Sequence, residues 1–244
     1  MAGSGEWTPE TEEARYPVNP SCVFCRIAAG DEPARYVASR WVETTDRREA
    51  PSRGVLAFRN RLTWVRVMLL VTPVRHATQE EFWQDSELLL PALDHAITLG
   101  RERCCEESEE VEAEGFRLIS NFGRVAHQTQ EHGHIHVISR PANEPIPGPP
   151  AGPCVPDTLQ HGVTVCQAES PSAPWSVCLR LDGARSQQDM FHDPRLPYLL
   201  EAAVDIAERE SPEGYRFVAD FLPEAGMGPP GFYVMGGGPL DLYA

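Results

Sequence analysis

Lysine is absent: all 21 basic residues are arginine, and against 36 acids they leave a formal charge of −15. Residues 1–140 carry 16 Arg and 22 Asp plus Glu, and residues 141–244 carry 5 and 14. Neither part offers the basic face needed to track a nucleic-acid backbone, so broad DNA or RNA binding is excluded. A few local donors can still hold one phosphate in a pocket. No apolar run approaches the roughly 18 residues that span a bilayer. The opening MAGSGEWTPETEEARYP has no basic segment followed by an apolar one. Neither a membrane span nor a secretory leader is expected, and the chain reads as cytoplasmic. The seven cysteines are odd in number and lack an export context, so a disulfide framework is not expected. Cys104, Cys105, Cys154, Cys166 and Cys178 read as small thiols, buried or partly exposed.

At about 100–200 residues per domain, the chain has room for one or two domains. Residues 1–19 are polar and acidic and read as a mobile tail. Residues 43–54 (ETTDRREAPSRG) read as an exposed loop. Residues 141–156 hold seven of the 23 prolines and read as an extended linker. The linker separates two parts, 20–140 and 157–244, with the same order of elements. The first has strands near Gly54–Phe58 and Val65–Val71, a helix near Glu87–Arg103, and strands near Gly115–Asn121 and His132–Ile138. The second has strands near Gly162–Cys166 and Trp175–Leu181, a helix near Pro197–Glu208, and strands near Gly214–Asp220 and Phe232–Met235. GFRLISNF (115–122) matches GYRFVADF (214–221) at Gly, Arg and Phe, which reads as an internal repeat of about 80–100 residues.

Chemistry concentrates in HGHIHVIS, where His132, His134 and His136 alternate with Gly133, Ile135 and Val137. In a strand, alternate side chains share a face, so the imidazoles line one side while Ile135 and Val137 turn to the core. Such a face suits a metal site. It also suits nucleophilic attack on phosphorus, because neutral imidazole is a good nucleophile near pH 7. Spacing alone does not choose between them.

The chain from about Ser21 to Arg140 resembles the histidine-triad (HIT) nucleotide-binding superfamily. SCVFCRIAAGDEPARYV is similar to the family's opening, LAFRNRLTWVRVMLLVTPVRH (56–76) to its strand hairpin, and FRLISNFGRVAHQTQEHGHIHV to the run into the triad. The resemblance implies that His134 is the nucleophile, that His136 and His132 flank it, and that His136 binds the α-phosphate. It places Thr129 where a serine usually contacts phosphate or leaving group. It further implies nucleotide contacts at Val23, Phe24, Ile27, Phe58, Asn60, Asn121 and Gln128. Part of the family holds zinc at positions matching Cys22, Cys25, His76 and His132; two thiolates and two imidazoles suit a structural tetrahedral site. The chemistry itself needs no cofactor.

Departures from the family pattern are Asn60 in place of a ribose-binding acid, Gly133 in place of an apolar residue, and Ala126 and His127 where a tight phosphate turn is usual. The second part reads PPGFYVMGGG (229–238) at the triad position and should be silent. The two-part layout resembles galactose-1-phosphate uridylyltransferases, but those carry Gln where this chain has His136 and are longer. The expected fold is α+β: a HIT-like antiparallel sheet with a packed helix, duplicated as an intramolecular pseudo-dimer with a degenerate second half. The expected function is hydrolysis of a nucleotide phosphoramidate or similar conjugate through a nucleotidyl-histidine intermediate. Alternatives are dinucleoside polyphosphate cleavage or nucleotidyl transfer, and a nucleotide-binding regulatory protein with little catalysis. Expected partners are a nucleotide or nucleotide-conjugate substrate, with the chain a monomeric pseudo-dimer or a homodimer.

Overall fold

A computed structural model describes residues 18–38, 42–50, 54–62, 64–105, 114–140, 154–168, 173–222 and 230–241. The expected tail up to residue 17 and the proline-rich stretch up to residue 153 lie outside them. The elements run α1 (Val23–Ala29), β1 (Tyr36–Val37), β2 (Glu43–Thr44), β3 (Val55–Arg59), β4 (Met68–Pro73), α2 (Gln79–Gln84), α3 (Ser86–Gly100), β5 (Phe116–Phe122) and β6 (Ile135–Ser139). They continue with β7 (Cys154–Leu159), β8 (Val163–Gln167), β9 (Trp175–Leu181), α4 (Gln187–Phe191), α5 (Leu196–Glu210), β10 (Tyr215–Phe221) and β11 (Phe232–Gly236). Local sequence sets the helix ends. Thr78 and Glu81 form a reciprocal capping box at α2, Asp85 caps α3, and Gly30 closes α1 at φ 86°.

The strands form one antiparallel sheet in the order β2-β1-β3-β4-β6-β5-β10-β11-β9-β8-β7. Read outward from the centre, β5-β6-β4-β3 on one side mirrors β10-β11-β9-β8 on the other. The fold is therefore a duplicated unit of hairpin, helix and hairpin. At the seam β5 pairs with β10 from Tyr215↔Phe122 to Phe221↔Phe116. Side chains repeat this two-fold relation. Phe116 stacks on Phe221 at 4.6 Å and Phe122 on Tyr215 at 4.3 Å. Arg117 bonds Asp220 at 2.8 Å, and Arg216 bonds Asn121 at 2.7 Å.

The two faces of the sheet carry different loads. On one, α3 and α5 bury Leu89, Leu93, Ala96, Leu199 and Ala203 against Leu69, Val71, Leu118, Ile135, Val137 and Val234. One continuous apolar core thus serves both halves. On the other face, α1 packs Phe24 and Ile27 onto Leu56, Phe58 and Leu70, which leaves the neighbouring strand β6 to carry the site.

Several expectations are corrected. The strand expected from His132 begins at Ile135, because the preceding residues are held by α2 instead. Residues 154–156 of the expected linker already belong to β7, an edge strand, where a proline is tolerated. The expected loop 43–54 is partly ordered. It contains β2 and a 3-10 turn at Arg47–Glu49, and buried Arg47 donates to the carbonyls of Ala28 and Ala50; residues 51–53 lie outside the described set. Cys166 is disulfide-bonded rather than a free thiol. Cys104, Cys105 and Cys178 are thiols rather than disulfides, as expected.

Candidate active site

The stretch leading into β6 is held from the side by α2. The Gln79 side chain accepts from the His134 N–H at 2.8 Å and donates to the His134 carbonyl at 3.0 Å, mimicking a strand partner. Ser120 Oγ donates to the same carbonyl. Gly133 is required by the approach of α2: a Cβ there would stand 2.3 Å from Phe82 Cβ. Phe82 is fully buried, so Gly133→Ala is expected to destabilise the protein by about 1–3 kcal/mol through overpacking. Thermal unfolding checks this, and an unchanged melting temperature would contradict it.

His134 has a defined tautomer. Its Nδ1 lies 2.8 Å from the His132 carbonyl oxygen, which can only accept. Nδ1 therefore carries the proton, and Nε2 keeps its lone pair. Burial lowers the His134 pKa to about 4, so the ring is neutral at pH 7. Burial, and then the proximity of the His134 ring and the Arg216 guanidinium, hold His136 well below the ordinary imidazole range. The two rings sit 5.0 Å apart. Phe24 stands edge-on to His134 and to Phe58, each at 5.3 Å. Ile27 is buried beside them, and Val23 at the start of α1 is half-buried.

The loop after β5 is also built by short-range bonding. Gly123 takes φ 74°, with Glu213 O only 2.8 Å from where a Cβ would be. Gln128 closes the loop, accepting from Gly123 N at 2.7 Å and donating to Gln130 O at 3.1 Å. His127 adopts φ 64°, and its Nε2 donates to Leu240 O at 2.7 Å, so it is braced by the other half. Thr129 lies exposed on this loop. Asn121 is buried, with its Oδ1 engaged by Arg216. Asn60 stays local: its Oδ1 accepts from Leu62 N at 3.1 Å within the β3–β4 turn. Gln79 and Arg216 are two site residues that sequence reasoning missed. Gln79 left no signal, whereas Arg216 was visible as the arginine shared by the two repeats.

A second cluster lies behind the triad. Cys22, Cys25, His76 and His132 place one donor atom each within 4.8 Å of one another and could hold a metal ion. Cys22 Sγ and His76 Nδ1 each lie 3.3 Å from His132 Nδ1, and Cys25 Sγ lies 3.3 Å from His76 Nδ1. Tetrahedral zinc with bonds of about 2.0–2.3 Å separates its donors by roughly 3.3–3.8 Å, so the residues fit. Pro73 O accepts from His132 Nε2 at 3.0 Å, which turns Nδ1 toward the sulfurs. The hydrogen bond within the Cys22/Cys25 pair holds the Cys22 thiol well below its ordinary value and pushes the Cys25 thiol above it, so the pair shares one proton. No helix among the described residues is long and apolar enough to cross a membrane.

The HIT domain family model matches residues 50–143. An uncharacterized HIT-like protein of Methanocaldococcus jannaschii is 28% identical over 119 residues, 49% of this chain and 78% of that protein. The adenosine 5′-monophosphoramidase hnt1 of Schizosaccharomyces pombe is 26% identical over 126 residues, 51% of this chain and 77% of that enzyme. The solved yeast Ap4A phosphorylase Apa2 is 15% identical with a TM-score of 0.46, covering 74% of this chain and 55% of that one. Relatives of this chain thus include an adenosine 5′-monophosphoramidase. Through its HIT domain at residues 50–143, the chain belongs to the HIT superfamily.

Proposed function

We propose that the chain hydrolyses a nucleotide phosphoramidate or similar nucleotide conjugate through a nucleotidyl group carried on His134. The observation that carries this reading is the Nδ1–H bond from His134 to the His132 carbonyl, which commits Nε2 to attack. In the first step Nε2 bonds to the α-phosphorus, the phosphorus–nitrogen bond to the leaving amine breaks, and the amine takes up a solvent proton relayed by the Thr129 hydroxyl, which regains one as it gives one. In the second step water attacks phosphorus, the bond to Nε2 breaks and its electron pair returns to the ring. The water's proton passes to solvent, and a nucleoside monophosphate leaves. His136 is kept neutral by burial, so it serves the phosphoryl oxygens as an N–H donor rather than as a cation. Asn121 adds a second donor, Gln128 shapes the loop, and Val23, Phe24, Ile27 and Phe58 wall the base. With its acceptor engaged by Leu62, Asn60 contributes little to the ribose.

Zinc fits at Cys22, Cys25, His76 and His132. Bound there, it would supply a structural tie between α1 and the start of the triad stretch, with all four positions taken by protein. We place no step of the reaction on it.

Steady-state hydrolysis of adenosine 5′-phosphoramidate tests the reading, with adenosine monophosphate as the expected product. Absence of turnover would oppose it. The pH profile is a separate check. Because burial lowers both imidazoles, kcat/KM should hold as pH falls through 6.5 and decline only toward pH 4. A decline centred near 6.5 would contradict a buried, neutral nucleophile. Nucleotidyl transfer is the second reading, favoured by the nucleophile being only 4% exposed, which shields an intermediate from water. Rapid nucleotidyl loss to an added sugar phosphate rather than to water would select it.

A further inference from the structure

The half without a triad sends an arginine across the seam toward the triad loop. Arg216, on β10, is fully buried. Its Nε donates to Asn121 Oδ1 at 2.7 Å, Nη1 to Asp241 O at 2.7 Å, and Nη2 to Ala126 O at 3.4 Å. These partners are the amide beside the triad, the loop that follows β5, and the C-terminal segment. That segment in turn grips the loop: Leu240 N donates to Val125 O at 2.9 Å, and Leu240 O accepts from His127. Register explains the reach, because β10 pairs Arg216 directly opposite Asn121. The two-fold mate of this contact, Arg117 with Asp220, ends on a carboxylate instead of an amide.

That difference matters chemically. A carboxamide has one acceptor oxygen and an NH2 group with two donors. Arg216 is a donor only, so it fixes the oxygen toward itself and sets the rotamer of the amide. Among the described residues no hydrogen bond uses the Asn121 NH2. An acid at this position, as in the mate Asp220, would repel a phosphoryl group.

We propose that Arg216, supplied by the silent half, is a positioning residue of the catalytic site: it turns Asn121 so that only N–H donors face the phosphoryl group, and it fixes the phosphate loop at Ala126. The inference rests on the phosphoryl-transfer reading of the triad. The silent half is then a working part of the site rather than a remnant. The proximity of the Arg216 charge to His136 agrees with this placement.

A double-mutant cycle on the full chain tests it, using Arg216→Gln, Asn121→Ala and their combination with adenosine 5′-phosphoramidate as substrate. Arg216→Gln should lower kcat/KM by about 10- to 100-fold, the range for a hydrogen bond to a charged group. In the Asn121→Ala background the same change should add no more than about threefold, because its effect runs through the missing amide. Arg216→Lys keeps a donor and should recover part of the loss; it also replaces Arg216→Gln in the cycle if the glutamine variant does not fold. Arg117→Gln is the control. It removes an equally buried arginine from the same strand pair, so it should lower the melting temperature comparably yet leave kcat/KM within about threefold.

A stability loss in Arg216→Gln with kcat/KM intact would overturn the proposal, as would multiplicative effects in the cycle. If the wild type binds adenosine monophosphate without turning over substrate, the hydrolytic reading fails and the same cycle is run on the dissociation constant. Non-additive losses there support the role of Arg216, and additive ones overturn it. A wild type that neither binds nor reacts overturns both.

Discussion

His134→Ala is expected to lower kcat for adenosine 5′-phosphoramidate by about a thousandfold or more, with the fold intact. On the proposed mechanism the effect is large because the imidazole itself forms the bond to phosphorus. The fold should survive because, among the described residues, the ring makes one hydrogen bond, to the His132 carbonyl. The backbone contacts that hold this stretch run from Gln79 to the His134 amide and carbonyl and are indifferent to the side chain. His136→Ala should cost less, about a hundredfold, since it removes one donor to the phosphoryl oxygens. The order of the two losses is diagnostic. If His136→Ala were the more damaging, the nucleophile would be misassigned; if His134→Ala kept more than a tenth of the activity, covalent catalysis by this residue would be wrong.

Removing the Cys/His centre should cost the most stability. Cys25→Ala, or exhaustive chelation, is expected to lower the melting temperature by about 10 °C, corresponding to roughly 3 kcal/mol for a chain of this size. Three separate segments meet there: the start of α1, the chain after β4, and the entry to β6. Without a bridging ion, two sulfurs and two imidazoles are packed together with little else to hold them. Activity should fall as well, because His132 contributes both a ring to the centre and the carbonyl that fixes the His134 tautomer. Metal analysis of freshly purified protein should find about one zinc per chain. Clearly sub-stoichiometric zinc, or chelation that leaves melting temperature and activity unchanged, would show that the four residues are held by packing alone.

What the sequence revealed, and what it concealed, divides by the range of the interactions. The main strands and both long helices were legible because alternating and helical apolar patterns reflect burial on one face, a local property. Trp175–Leu181 matches β9 residue for residue. The duplication was legible too, through GFRLISNF and GYRFVADF, because the seam strands face each other and share its packing. The triad was found from residue type and spacing and the Cys/His set through the family resemblance; the structure sets His134 beside His136 and brings the four Cys/His donors together. The strand boundary at His132 was missed because Gln79, distant in sequence, supplies the hydrogen bonds that a strand partner would otherwise make. The order within 43–50 was missed because Arg47, polar in sequence, is buried by hydrogen bonds to carbonyls. Asn60 illustrates the reverse: matching a motif position did not reveal that the turn itself would claim its acceptor. Arg216 was visible only as the arginine shared by the two repeats; its role was not, because a contact across the seam leaves no local pattern.

The most direct measurement is an intact-mass spectrum of the protein quenched during turnover of adenosine 5′-phosphoramidate, with His134→Ala run beside it. The expected result is one nucleoside monophosphoryl group on the wild type, lost on mild acid treatment as a phosphorus–nitrogen bond should be, and no adduct on His134→Ala. Rapid turnover by the wild type with no adduct at any quench time, or an adduct of equal yield on His134→Ala, would contradict a nucleotidyl group carried by this histidine.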